Sequence, residues 1–225
     1  MKVSIVIQAK NEAKTIKNFV NSLTNTFKDG EIIVVCNGCT DNTYDIVRSI
    51  KKKNVKAMNF GSIGKGGAII EGLNVAKNPI IGFVDSDGSY DGVAIRKVLS
   101  GMSGYDASIA SKWKGKKFFS IKKGFFYKLG SRTWNFLIRL FLNLQLTDTQ
   151  AGLKFFKKSA YDSIDHDFIC RGFDFDIELL HKLNKKDYKI NEVPVTPKTS
   201  KKTTFNVSYT PSMFFNLIKI WMSKQ

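Results

Sequence analysis

Short runs of β-branched and aliphatic residues recur through the first half of the chain, each separated from the next by a helix-length segment. Residues 3–9, 31–36, 55–58, 80–84 and 107–110 are such runs. The intervening segments carry apolar residues at helical spacing, as with Ile16, Phe19, Val20 and Leu23 within 12–27, and Ile46, Val47 and Ile50 within 41–52. A glycine-rich turn at 61–67 opens a third helix ending near Ala76, and a fourth is expected at 93–102. Strands alternating with helices mean βαβ units, so the pattern predicts an α/β fold with a mainly parallel central sheet, helices on both faces and right-handed crossovers.

After Ser111 the character changes. Residues 112–128 form a basic stretch with apolar inserts at Trp113, Phe118, Phe119, Phe125 and Phe126, and a long amphipathic helix is expected at 126–144. A polar cluster then runs into a strand over 148–156, followed by a helix at 173–183 and a strand at 188–195 ended by Pro194 and Pro197. A basic, threonine-rich loop over 198–204 precedes an amphipathic helix at 211–223. At 225 residues the chain reads as one domain, 1–225. It divides into a first half (1–111), a second half (112–205) and a C-terminal amphipathic helix (206–225).

Thirty-six Lys and Arg against 19 Asp and Glu give a net charge of +17, which calls for an anionic partner. Three cysteines are too few for a disulfide scaffold and point to a reducing compartment. The amino terminus enters a strand at once, so no signal peptide is expected. No run approaches the ~18–20 apolar residues that span a bilayer. The stretches 134–146 and 213–222 are shorter and carry Arg139 and Lys219. The expected state is therefore soluble or peripheral.

The stretch 80–91 ends an apolar run in two carboxylates, Asp85 and Asp87, separated by Ser86. At the carboxyl edge of an open sheet, where ligands sit, alternate carboxylates can face one hard cation that in turn holds a diphosphate. A polar turn capping the next helix explains the same residues. Gly61 to Gly67 meets neither the Gly-x-x-x-x-Gly-Lys-Ser/Thr nor the Gly-x-Gly-x-x-Gly pattern; it is a turn at a helix start with one lysine, Lys65, where an anion would be favoured, or a plain helix entry. Cys36-Asn37-Gly38-Cys39 has redox spacing, but Asn-Gly is itself a turn signal, and His166 and His181 read as surface or capping residues. Asp148, Thr149 and Gln150 suit a turn; Asp174, Asp176 and Glu178 suit a helix start.

Taken in order, these stretches resemble a family-2, A-fold glycosyltransferase, a Rossmann-like nucleotide-diphospho-sugar transferase. They are most similar to the dolichol-phosphate and polyprenyl-phosphate hexose synthases. The matching elements are Ser4 to Glu12 with its Asn11-Glu12 turn, Cys36 to Thr43, Gly64-Lys65-Gly66-Gly67-Ala68, Asp85-Ser86-Asp87 and Ala110-Ser111-Lys112. The most specific are Asp148-Thr149-Gln150-Ala151-Gly152-Leu153-Lys154 and Phe173 to Leu180, and Glu192-Val193-Pro194-Val195 closes the set. Cys36-Asn37 stands where an acidic pair is usual, Ser89 and Asp91 where a Gln and a Pro occur in the mannose synthases, and Lys112 where Arg is usual.

The resemblance implies an inverting, metal-dependent transferase moving a hexose from a UDP- or GDP-sugar to a polyprenyl or dolichyl phosphate. The Asp-Thr-Gln and Phe-Asp elements lean toward the glucosyl type and UDP. Gln8, Ala9, Asn11, Glu12, Asn37 and Asp41 would surround base and ribose, with Lys65 near the nucleotide. Asp85 and Asp87, joined by Ser89, would hold Mg²⁺ or Mn²⁺ on the diphosphate, with Ser86 beside them. Lys112, Arg132, Lys198, Lys201 and Lys202 would meet donor or acceptor phosphates. A lipid monophosphate, with its second pKa near ~6, is already an anionic nucleophile, so no general base is needed. A sugar-hydroxyl acceptor, the alternative within the family, would need one, and Asp148 or Asp176 would serve.

The phenylalanines at 118, 119, 125 and 126 fit a membrane-surface patch. So does the last helix, with Met213, Phe214, Leu217, Ile218 and Trp221 near Lys219 and Lys224, though core packing explains its spacing equally. The expected location is the cytoplasmic face of a membrane, bound peripherally. The rival from another class, a basic nucleic-acid-binding protein, leaves the Asp-x-Asp and Asp-Thr-Gln elements unexplained; no nucleic acid is expected as a partner.

Overall fold

The computed structural model describes residues 2–115, 125–198 and 210–223. Lys201, Lys202, Phe118, Phe119 and Lys224 lie outside them. In chain order the elements are β1 (Val3–Ala9), α1 (Ile16–Thr26), β2 (Glu31–Asn37), α2 (Thr43–Arg48), β3 (Val55–Phe60), α3 (Lys65–Asn74), β4 (Ile80–Asp85), α4 (Gly92–Ser100) and β5 (Ala107–Ser111). Then come α5 (Phe125–Leu142), β6 (Leu153–Lys157), α6 (Lys158–Ser163), α7 (Phe175–Lys185), β7 (Ile190–Pro194) and α8 (Thr210–Met222).

Seven strands form one sheet in the order β3-β2-β1-β4-β6-β5-β7. All pairings are parallel except those of β6, which runs antiparallel to β4 and β5. Strands from either side of residue 111 pair with one another, so a single α/β sheet carries the chain. Successive side chains of a strand point to opposite faces. In β1, Val3, Ile5 and Ile7 pack with Ile16, Val20, Leu23, Ile95 and Val98 beneath α1 and α4, while Val6 joins Ile69, Leu73, Phe83 and Ile138 on the other side. Both faces are therefore covered, as the unbroken apolar runs require.

Several boundaries differ from expectation. The helix expected from Glu12 starts only at Ile16, because the Glu12 carbonyl closes a turn by accepting from the N–H groups of Thr15 and Ile16. The strand expected over 148–156 is confined to Leu153–Lys157, since the residues before it form a polar turn, and the short helix α6 had no periodic signal of its own. Helix α4 starts where Asp91 Oδ1 accepts from the Ala94 N–H at 2.9 Å, an N-cap.

Candidate active site

The carboxyl ends of β1, β2 and β4 lie level: Gln8 pairs in register with Val35 on one side and Asp85 on the other, and Ala9 pairs with Cys36. The loops leaving β1 and β2 are tied together by their own side chains. Asn11, in a left-handed conformation at φ 56°, accepts the Thr40 N–H on Oδ1 at 2.8 Å. The Glu12 N–H donates to Thr43 Oγ1 at 2.8 Å, and Asp41 accepts from the N–H groups of Ala13 and Thr43 and from the Thr43 hydroxyl. That hydroxyl holds the Asp41 carboxyl below the ordinary carboxylate range. Buried Asn37 accepts the Ile63 N–H on Oδ1 at 2.9 Å, joining this cluster to the next loop.

That next loop enters α3 through Gly64, at φ 83°, where an added Cβ would stand 2.1 Å from the Arg171 carbonyl oxygen. The N–H groups of Gly66 and Gly67 donate to the carbonyls of Gly172 and Arg171, both at 3.1 Å. The helix start thus docks on residues 171–172, and these donors are not offered to an anion as one reading of the glycine turn had them. Lys65 turns instead to Asp85, Nζ to Oδ1 at 2.7 Å. Burial acts to lower the Lys65 pKa, but the charges of Asp85 and Asp176 outweigh it and hold the ammonium above the ordinary lysine value.

Asp85 ends β4, and its N–H donates to the Gly152 carbonyl at 2.8 Å. Its Oδ2 occupies the space beside Gly152, where a Cβ would come within 1.8 Å. Any side chain at 152 would displace this carboxylate. Asp87 is closed into a turn by Ser89, whose N–H reaches Oδ1 at 2.9 Å and whose hydroxyl reaches Oδ2 at 2.7 Å. Ser89 here is a donor to Asp87, and Ser86 between the two carboxylates is buried. Among the described residues no three His, Cys, Asp or Glu side chains converge as a metal group.

In the turn before β6, Asp148 is buried, accepts the Lys112 N–H at 3.0 Å and faces Lys112 Nζ at 3.4 Å. Arg132, on α5, stacks over the buried Trp113 ring at 4.6 Å. Asp176 is buried against Lys154, which is wholly buried within β6; Nζ lies 3.2 Å from Asp176 Oδ1 and donates to the Ala151 carbonyl at 2.5 Å. Burial pushes the Asp176 carboxyl up and the Lys154 ammonium down, and each charge partly offsets the shift of the other. Lys198, last residue before the 199–209 stretch, pairs with Asp91 at 3.0 Å and donates its N–H to the Ser89 carbonyl at 2.9 Å.

Two residues gain a role that their sequence context did not show. Glu192 was legible only as part of a closing strand. Its Oε1 accepts from the Thr147 N–H and hydroxyl, each at 2.8 Å, and from the Asp148 N–H at 3.0 Å, so it shapes the whole Asp-Thr-Gln turn. Tyr90 is buried where the fields of Asp148, Asp85, Asp87 and Asp176 meet; burial first, then those charges, push its hydroxyl well up and keep it a neutral phenol. Cys36 and Cys39 are free thiols, and burial, then Cys39, push Cys36 up to about 12, which leaves it protonated and unreactive at neutral pH.

The model of glycosyl transferase family 2 matches residues 4–165. The chain belongs to this family. A dolichyl-phosphate N-acetylglucosaminyltransferase of Methanococcus voltae that uses UDP-N-acetylglucosamine, by its name, is 28% identical over 99% of this chain and 97% of its own length. The glycosyltransferase AglD of Haloferax volcanii is 29% identical over 87% of this chain, which spans only 33% of that relative. Among solved structures, mannosyl-3-phosphoglycerate synthase of Rubrobacter xylanophilus superposes with a TM-score of 0.75 at 16% identity, over 100% of this chain and 74% of that one. Glucosyl-3-phosphoglycerate synthase of Mycobacterium tuberculosis, crystallised with Mn²⁺, UDP and glucosyl-3-phosphoglycerate, gives 0.70 at 18% identity, over 99% and 79%. At such identities these structures share the family's fold with this chain.

Proposed function

We propose that the chain transfers a hexose from a UDP- or GDP-sugar to a polyprenyl or dolichyl phosphate, with inversion and with a divalent metal on the donor diphosphate. The observation that carries the reading is the placing of Asp85 at the carboxyl end of β4, 2.7 Å from Lys65 Nζ and seated against Gly152, with Asp87 two residues on. The dolichyl-phosphate acceptor named for the Methanococcus relative, which matches almost end to end, supports the acceptor class.

Asp85 and Asp87 would hold Mg²⁺ or Mn²⁺, since two carboxylates are hard oxygen donors that suit either ion. The bound ion would supply Lewis-acid neutralisation of the leaving diphosphate. Lys65, already drawn to this charge, would contact the same diphosphate. Gln8, Asn11, Glu12 and Asp41 would border base and ribose on a rim held by its own hydrogen bonds, with Ala9 and Asn37 buried beneath it. Lys112 and Arg132 sit on the acceptor side, where cations offset repulsion between two phosphates. The acceptor phosphate oxygen forms its bond to the anomeric carbon as the bond to the diphosphate breaks, so one displacement inverts the centre. No proton need be removed. Asp148 and Asp176, the two bases a hydroxyl acceptor could use, are both buried and lysine-paired.

The test is a thermal-shift screen of UDP- and GDP-hexoses with and without Mn²⁺, followed by transfer to a short polyprenyl phosphate. A donor at about 100 times its Kd should add about 2.7 kcal/mol of stability, and only with metal. Asp87→Asn should keep the fold and lose turnover. Full activity in that variant removes the metal assignment, and oligonucleotide binding without any nucleotide response favours the nucleic-acid reading.

A further inference from the structure

The donor side is braced by one segment that supplies no proposed contact of its own. Residues 169–174 lead into α7, and each part of this segment is tied to a different element. Its first residues are held by Glu178 on α7, whose Oε1 accepts the Ile169 N–H at 3.1 Å and whose Oε2 accepts the Cys170 N–H at 2.7 Å. Its middle receives the start of α3, through the Gly67 and Gly66 N–H bonds to the Arg171 and Gly172 carbonyls. A Cβ at Gly66 would stand 2.4 Å from Phe175 Cβ, so α3 is pressed against this region without slack. Its end carries Phe173, whose ring centre lies 5.8 Å from Lys65 Nζ, and then Asp174.

Asp174 is 3% exposed. Unlike Asp85, Asp148 and Asp176 it takes an amide as its partner: Asn216 Nδ2, on α8 and 42 residues away in the chain, donates to Asp174 Oδ2. Helix α8 is fixed to the body by its inner face. Leu217 and Ile220 share a buried cluster with Cys170, Phe175 and Leu179, while Phe215 and Met222 on the same helix stay exposed. A buried carboxylate is costly to leave without a partner, and a hydrogen bond to a charged acceptor is stronger than one between neutral groups. Removing the amide should therefore shift Asp174 rather than strand it. Only Phe173 separates Asp174 from Gly172, so such a shift passes directly to the carbonyls that receive α3.

We infer that Asn216 is a positioning residue for the donor side: from α8 it fixes Asp174, and through residues 171–173 it fixes the start of α3 that carries Lys65. The inference rests on the proposed donor only for its effect on transfer, because Lys65 is the group that would meet the diphosphate. The linkage itself belongs to the free chain.

The experiment compares the parent with two variants. Asn216→Leu keeps the size of the side chain and removes the donor; Asp174→Asn with Asn216→Asp again sets one amide against one carboxylate. In hydrogen exchange of the free chains, the Gly66 and Gly67 amides should exchange about three- to tenfold faster in Asn216→Leu. The amides of β1 and β2 should keep the parent's rates, and the exchanged pair should lie close to the parent throughout. The dissociation constants of UDP and GDP, measured with Mn²⁺, and the donor KM should rise by a similar factor while kcat changes less, as when a contact common to ground and transition states is lost. Parent-like exchange at Gly66 and Gly67 in Asn216→Leu overturns the inference. So does faster exchange spread evenly over the sheet, which would make Asn216 a packing residue, or an exchanged pair no better than Asn216→Leu. Faster exchange at the two glycines with nucleotide affinity unchanged overturns the positioning role. Exchange that follows the pattern in a chain whose parent binds neither nucleotide supports the linkage and removes the proposed donor.

Discussion

The two sides of the strands' carboxyl edge are built by different physics. On the β1–β2 side, Asn11, Thr40, Asp41 and Thr43 bond to one another and to backbone N–H groups, tying the loop after β1 to the loop after β2, with Asn11, Thr40 and Asp41 open to solvent. On the β4–β6 side three carboxylates each have a lysine, Asp85 with Lys65, Asp148 with Lys112 and Asp176 with Lys154, while Asp87 is held by Ser89. The first side is a rim that any solvent exposure tolerates. The second is a set of charges held in a poorly screened interior, where each depends on its partner. Substitutions should therefore cost little on the first side and much on the second.

The sharpest contrast comes from Lys154→Met, which leaves Asp176 buried without its counter-charge. Unfolding in urea should show a loss of about 3–5 kcal/mol, and Lys154→Met with Asp176→Leu should recover most of it. If the single variant is as stable as the parent, the two sides do not differ in kind. Next is Gly152→Ala. The added methyl meets Asp85 Oδ2, and displacing a reacting group's holder by about 1 Å can cost about 10² in rate. Turnover should fall by that order and Mn²⁺ affinity with it, read by Mn²⁺ spin resonance; unchanged affinity would mean Asp85 is not held from this side. The smallest effect belongs to Asp41→Asn. The Thr43 hydroxyl depresses the Asp41 pKa, so its stabilisation is present above the unfolded value of about 3.9 and lost as pH falls through the lower folded value. The variant should match the parent in acid and fall slightly behind it near neutral pH, measured by melting temperature against pH.

What could be read from the sequence follows the same divide. The five strands of the first half were visible because buried parallel strands are unbroken apolar runs, and Asp85 and Asp87 stood out at the end of one. The helix cap at Asp91 was equally local. Lys154 was not readable as a core residue, because a lysine is buried only when a distant carboxylate meets it. The seat of Asp85 at Gly152 and the hold of Glu192 on Thr147 and Asp148 join residues far apart in the chain. The reversed direction of β6 has no periodic signature at all. The apolar periodicity of α8 was plain, yet only the packed structure separates the face spent on the core from the face left over.

That reversed strand also sets an order of events. In a parallel strand the first residue lies at the far edge of the sheet, away from the ligand side. Because β6 is antiparallel to β4, its beginning lies at the end of β4, and Gly152 meets Asp85 across a long span of chain. A nascent chain that stops at residue 111 can already pair β1, β2, β3 and β4, yet its Asp85 has neither seat nor opposite wall. Contacts of such sequence separation form late. Assembly of residues 1–111 therefore precedes the seating of Asp85, and folding itself fixes that carboxylate only once the residues beyond 111 have been made.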